Sequence, residues 1–316
     1  MKKIQLIKNP ELFQGKKQLY MDKEYFEGWY YKNTSSQESI AFIPGISINP
    51  INKHAFIQIM TLTSSYYITY DIKDFHFSST PFCIQIKNNI FTKEIIIIDI
   101  KNQEQNLNIS GHIHYKSVQN LHHSLFQPNI MGPFSYLSFL ECYHAILSMK
   151  SMINGVIYIN GKKIQFENGD GYIEKDWGYS FPKSYIWSQA NSFLKTDASF
   201  MISIAHIPFY CFSFKGLICV LIVNDKEYRF STYNNAKIIQ FIEAKNSIDI
   251  TLQKGNYQLD IQAKSKQNLE LLAPVQGNMK KEIFESLLAT TTITLKKDHH
   301  IIFHDTSPYG GLEIVE

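Results

Sequence analysis

Asn160-Gly161 lies between two β-branched runs, Val156-Ile157-Tyr158-Ile159 and Lys162-Lys163-Ile164-Gln165-Phe166. Asn-Gly accepts the left-handed backbone of a two-residue hairpin turn, so this stretch is committed to antiparallel pairing. A second hairpin is expected from Leu217–Val223 through Asn224-Asp225-Lys226 to Glu227–Tyr233, and Ile95–Ile100 is a further β-branched run. The same signals predict strands over 38–48, 54–63, 66–77, 82–87, 107–115, 140–150, 236–243, 246–253, 256–264 and 290–296. Only Gly277–Ala289 carries helical spacing, with Met279, Ile283, Phe284, Leu287 and Leu288 as its apolar positions. Segment 116–136, with Pro128 and Gly132-Pro133, reads as the connector. The expected chain is all-β, with two antiparallel bodies split as 1–135 and 136–316 and one short C-terminal helix. No internal repeat is visible.

Composition removes several function classes. Lys+Arg number 31 against 28 Asp+Glu, a formal charge of +3 over 316 residues, which argues against nucleic acid as a partner. Hydrophobic residues at 44% and charged residues at 19% supply a core and exclude a disordered chain. Aromatic residues reach 14%, a content that suits strands and apolar cavities. Cys83, Cys142, Cys211 and Cys219 form no C-x-x-C pair, so free thiols in a reducing compartment are expected. Residues 1–10 are broken by Lys8 and Pro10 and lack the apolar stretch of a signal peptide, and no run of 18 apolar residues occurs. A cytoplasmic location follows as the expectation. G-x-S-x-G, P-loop and G-x-G-x-x-G motifs are absent.

Three stretches carry chemistry. In Tyr25-Phe26-Glu27-Gly28-Trp29-Tyr30-Tyr31-Lys32, strand alternation puts Tyr25, Glu27, Trp29 and Tyr31 on one face. A carboxylate among three aromatics is costly unless it is paired or protonated, so Glu27 is either a partner of a buried base or a functional acid. In Gly171–Pro182, Glu174 and Asp176 share a strand face, roughly 7 Å apart by strand rise. Two carboxyl groups that close tend to split their titration so that one keeps its proton, unless Lys175 and other bases neutralise an exposed turn. In Tyr185–Phe193, Tyr185, Trp187, Gln189, Asn191 and Phe193 fall on one face, a mixture that fits either an apolar cavity with one polar end or a hydrogen-bonded core network. His112-x-His114 and His122-His123 lack a third ligand at a recognisable spacing, so no metal site is expected. Glu141 and His144 would point to opposite faces of a strand.

Taken together, these stretches resemble the tocopherol cyclase-like family. The resemblance rests on YFEGWYYK (25–32), GPFS (132–135), ECYHAILSM (141–149), GYIEKDWGYSFP (171–182), YIWSQANSF (185–193), SIAHIP (203–208), RFSTY (229–233), LLAP (271–274) and GLE (311–313). It implies two lipocalin-like β-barrel domains and cyclisation of a prenylated hydroquinone to a chromanol, with no metal or organic cofactor. That chemistry needs a neutral carboxylic acid to protonate an alkene and aromatic faces to hold the tertiary cation. Asp176 or Glu27 is the candidate proton donor, with Glu174 third. Trp29, Tyr31, Trp177, Phe181, Tyr185, Trp187, Gln189 and Asn191 are the candidate substrate contacts, with Gln189 and Asn191 orienting the phenolic oxygens. The expected partner is an apolar small molecule, a prenylated aromatic or terpenoid, and that ligand class leaves room for peripheral membrane contact. Two other readings stay open: a hydratase that delivers water to the same cation, and a non-catalytic lipocalin-like carrier. A carbohydrate-binding module fits less well, because its stacking platforms would not share faces with acids and amides.

Overall fold

A computed structural model describes residues 6–21, 23–209 and 212–316, so Cys211 and the first five residues lie outside it. The chain forms two antiparallel sheets. The first contains β1 (Tyr25–Thr34), β2 (Ser39–Ile48), β3 (Lys53–Met60), β4 (Ser65–Asp71), β5 (Phe75–Ser79), β6 (Phe82–Ile86), β7 (Asn89–Phe91), β8 (Ile95–Asn102), β9 (Leu107–Gln119), β10 (Cys142–Ile159) and β11 (Lys162–Gly178). The second contains β12 (Tyr185–Ala190), β13 (Ala198–Phe209), β14 (Phe212–Val223), β15 (Lys226–Ser231), β16 (Lys237–Ala244), β17 (Ser247–Lys254), β18 (Tyr257–Lys264), β19 (Leu269–Val275), β20 (Asn278–Lys297) and β21 (His300–Val315). The all-β, lipocalin-like expectation holds, and one sheet is a nearly closed barrel.

Both sheets are wound by one scheme. Each is a meander whose first strand returns to pair with its last, β1 with β11 and β12 with β21. Each is interrupted after its fourth strand by a capped 3₁₀ turn, Ile72–Asp74 in the first and Thr232–Asn234 in the second. This is a topological repeat, carried by strand order rather than by residue identity. The first unit comprises Met1–His123, Glu141–Phe181 and Leu271–Glu282; the second comprises Ser124–Leu140, Pro182–Glu270 and Ile283–Glu316. The continuous division at 135/136 is therefore corrected. The hairpin β10–β11 hydrogen-bonds to β1 and β9, so its residues belong with the first sheet.

The predicted hairpins form as two-residue turns, with left-handed backbone at Asn160-Gly161 and Asn224-Asp225. The predicted helix at 277–289 is instead the start of β20. Its apolar spacing of four is also a multiple of the strand period of two, so Ile283, Glu285 and Leu287 all turn to a buried side. The Leu271–Glu282 hairpin is strapped to the first sheet. Gln58 Nε2 donates to the Leu272 carbonyl at 2.9 Å while its Oε1 accepts the Leu272 amide at 2.9 Å, and Ser47 Oγ donates to the Gly277 carbonyl at 2.6 Å.

Inside the first unit, alternate residues of every strand build an Ile- and Phe-rich core, with Trp29, Tyr31, Phe42, Ile57, Ile98 and Ile173 among its members. A charged cluster interrupts it. Glu27 and Lys175, both fully buried, meet at 2.5 Å. Glu27 also accepts from the amides of Gln14 and Gly15 and from the Tyr25 hydroxyl at 2.6 Å. Lys175 donates to the carbonyls of Pro10 and Leu12 and lies 4.8 Å from the ring centroids of both Trp29 and Trp177. Trp29 Nε1 donates to the Glu11 carbonyl at 3.0 Å. The segment 10–15 is thus laced to the β1–β11 seam from inside. Removing one partner of such a pair strands a buried charge. Lys175→Met should cost about 3–5 kcal/mol in urea unfolding, and the double change with Glu27→Gln should restore most of it. Additive losses would contradict the pairing.

A second constraint is the register of β10 against β11. Counting straight back from the Ile159–Lys162 closure would set His144 opposite Trp177, but bulges between Ile146 and Gly155 shift it by one, opposite Asp176. Past the site, Gly178 has φ +152°, and a Cβ there would stand 2.1 Å from the Glu141 carbonyl oxygen. Gly178→Ala should lower stability by about 1–3 kcal/mol, seen as a drop of several degrees in thermal unfolding. An unchanged melting temperature would show that this register is not held there.

Candidate functional site

Neighbouring residues of β11 point to opposite faces of the first sheet, and this splits the candidates. Ile173, Lys175 and Trp177 face the core, while Tyr172, Glu174 and Asp176 face outward. Across β10, His144 pairs directly with Asp176 and Ile146 with Glu174. His144 Nδ1 lies 2.9 Å from Asp176 Oδ1, and its Nε2 lies 3.6 Å from Glu174 Oε2. One imidazole therefore sits between two carboxyl groups. Their side-chain exposures are 13% for His144, 6% for Glu174 and 23% for Asp176, so Asp176 is the member most open to an incoming molecule.

The buried member is backed by a phenol. Tyr172 Oη donates to Glu174 Oε2 at 2.5 Å. Burial, then the charge of Glu174, pushes the Tyr172 hydroxyl well above its ordinary value, so it stays a donor at neutral pH. Tyr30, opposite Glu174 on β1, meets the Tyr172 ring edge-on at 6.5 Å. Cys142 is held as a thiol: burial first, then Asp176 and Glu141, raises it well above the ordinary cysteine value, which leaves no thiolate nucleophile. His144, Glu174 and Asp176 also place one ligand atom each within 4.8 Å of one another, a donor set that a divalent cation could use.

Glu27 is placed elsewhere. It faces the core and is saturated by Lys175, two amides and a hydroxyl, as in the pairing alternative of the sequence reading. Burial drives the Lys175 ammonium down, while Glu27 beside it works against that fall. The expectation that Trp29 and Trp177 offer free aromatic faces to a substrate cation is corrected. Those faces hold Lys175, and Trp177 is further stacked on Tyr143 at 5.5 Å. Tyr31 is an interior residue packed against Phe91 and Tyr115. Phe181 follows β11 and meets Phe26 edge-on at 5.3 Å.

The remaining candidates are in the second unit. Ile186 and Ala190 of β12 enter its core, while Tyr185, Trp187 and Gln189 are buried on the opposite face, with Asn191 buried just beyond the strand end. Alternation stops at Ala190, so Phe193 instead packs with Phe303 at 5.8 Å. Tyr185 Oη donates to Glu313 Oε2 at 2.7 Å, and Glu285 of β20 lies opposite Glu313. A Cβ at Gly311 would come within 2.5 Å of the Trp187 ring, which explains the glycine there. Sequence reasoning missed His144 as the partner of Asp176 and missed Glu285. His112 and His114 do share a face of β9, with ring centroids 5.3 Å apart.

Known proteins resemble the chain at two levels. In structure, CghA, crystallised with Sch210972, aligns with TM-score 0.61 at 8% identity, covering 93% of this chain and 88% of that one. Kievitone hydratase from Nectria haematococca aligns with TM-score 0.52 at 13% identity, covering 93% and 89%. These likenesses establish the shared fold. In sequence, a probable chloroplastic tocopherol cyclase of Oryza sativa subsp. japonica is 33% identical over 67 residues, and the chloroplastic tocopherol cyclase of Zea mays is 33% identical over 67 residues. That stretch is 21% of this chain and only 14% of each plant protein. The family model described as tocopherol cyclase-like matches residues 99–315, which span β10, β11 and the whole second sheet, and the chain therefore belongs to the tocopherol cyclase-like family.

Proposed function

We propose that the chain is an acid-catalysed enzyme that cyclises a prenylated hydroquinone, or a related prenyl or terpenoid lipid, by protonating a carbon–carbon double bond. The observation that carries this reading is the placement of His144 between Asp176 and Glu174 on the outer face of β10–β11. Asp176, the most open of the three, donates the proton. His144 positions Asp176 and returns its proton, and Glu174, fixed by Tyr172, holds the far side of the imidazole.

The step conserves every atom. The donor's proton bonds to the less substituted alkene carbon, using the π electrons and leaving a tertiary cation. A phenolic oxygen of the same molecule then forms the C–O bond, and its proton passes back to the site. The product is an isomer of the substrate. Because Asp176 and His144 are partly exposed, water can also reach the cation, and this favours hydration as the second reading. A hydrated product gains the mass of one water.

The test is turnover of a panel of prenylated hydroquinones in D₂O, read by mass spectrometry. Cyclisation should leave one non-exchangeable deuteron on carbon. Asp176→Asn should lower kcat by about 10²–10⁴-fold with substrate binding retained. His144→Gln should lower kcat and flatten the pH profile. Turnover that survives a chelator would assign the trio to proton chemistry, whereas loss on chelation with recovery on adding a divalent ion would assign it to a cation. Binding across the panel without labelled product would turn the reading to a carrier.

A further inference from the structure

Across the outer face of the first sheet, one register row runs Phe56, Gly45, Gly28, Asp176, His144. Two positions beside the acid therefore carry no side chain, and they differ in kind. At Gly45 a Cβ would come within 2.5 Å of the Phe56 ring and 2.6 Å of the Glu27 carbonyl oxygen, so that glycine makes room for packing. At Gly28 a Cβ would meet nothing closer than Ile43 Cγ2 at 3.7 Å, the Pro44 carbonyl oxygen at 3.8 Å and Phe56 Cζ at 4.0 Å. Gly28 is an extended strand residue without left-handed φ, and it is partly exposed on a face that is otherwise mostly buried. Neither backbone conformation nor crowding accounts for a glycine there, and glycine in a strand interior costs about 0.5–1 kcal/mol relative to alanine. What it leaves is a gap about the size of one methyl group, within van der Waals reach of Ile43, the Pro44 carbonyl and Phe56.

That space has a definite character. Its floor is backbone, its walls are the aliphatic Ile43 and the aromatic Phe56, and its next neighbour across the strands is Asp176. We infer that Gly28 floors an apolar subsite that seats the reacting branched alkene of a prenyl chain against Asp176, and that side-chain size at position 28 determines whether such a chain enters. The flush backbone lets the alkene reach the near-attack separation of about 3–3.5 Å. Phe56, stacked on Tyr67 at 5.3 Å, turns the edge of its ring toward this gap and closes it on one side. The alkene identity of the occupant rests on the proposed function; the subsite itself is tested without it.

Two probes separate the two claims: geranyl hydroquinone, and its hydrogenated analogue, which has no double bond to protonate. Calorimetric binding of the analogue reads the subsite, and turnover of geranyl hydroquinone reads the chemistry. Gly28→Val should weaken analogue binding about 10²-fold and reduce kcat/KM at least as much. Gly28→Ala should lie between it and the wild type, with an unfolding midpoint equal to or above that of the wild type. Asp176→Asn should bind the analogue normally and lose turnover. If Gly28→Val fails to fold, Gly28→Ala carries the comparison, because its Cβ meets no atom closer than 3.7 Å. Wild-type-like analogue binding by the Gly28 variants overturns the subsite. Binding by the wild type without turnover, lost in Gly28→Val, overturns the chemistry and keeps the subsite. No analogue binding by the wild type overturns both.

Discussion

The Glu27–Lys175 pair inside the first sheet is the interaction on which the rest of the structure depends. Burying both charges costs several kcal/mol each, and their attraction alone seldom repays that cost. Here the remaining valences are filled by two amides, a phenol, two carbonyls and two indole faces. The pair spans β1 and β11, the strands whose pairing joins the first strand of the meander to its last. The same groups bind the segment 10–15. Seam, interior and leading segment are thus held by one cluster, and a change at any member is felt by the others.

Strand alternation then gives the seam a second use. Lys175 stands between Glu174 and Asp176 in sequence, yet it belongs to the interior while they belong to the outer face. The interior acid is neutralised by its own lysine and serves cohesion. The outer acids receive a histidine and a tyrosine instead, groups that exchange or donate protons. A one-residue slip would swap the two sets, and the bulges in β10 set which is which. The inner cluster supplies the rigidity that a site on the outer face needs to hold its groups in a fixed geometry.

Much of this was legible in the residues. Asn160-Gly161 forms the hairpin that builds half the site, and the alternation of Tyr25, Glu27, Trp29 and Tyr31 was read correctly, as was the shared face of Glu174 and Asp176. Three things were hidden, each for a physical reason. His144 was missed because bulges have no single-residue signature and the unbulged register turns it to the wrong partner. The helix expected at 277–289 failed because a spacing of four satisfies both periods, and the long pairing with β21 decided between them. The boundary at 135/136 failed because the connector 124–140 ends where the chain returns to the first sheet rather than where that sheet is complete. The glycine beside Asp176 was present in the motif, but its meaning required knowing that no atom crowds the place of its missing side chain.

The central claim is that the outer face of the β1–β11 seam does chemistry while the inner face holds the fold. A crystal structure of the protein with hydrogenated geranyl hydroquinone tests it most directly. The account predicts density for the branched chain over Gly28, between Ile43 and Phe56, with a chain carbon about 3.5 Å from the Asp176 carboxyl. Density for the chain inside the first sheet, against Trp29 and Trp177 with Lys175 displaced, would contradict it.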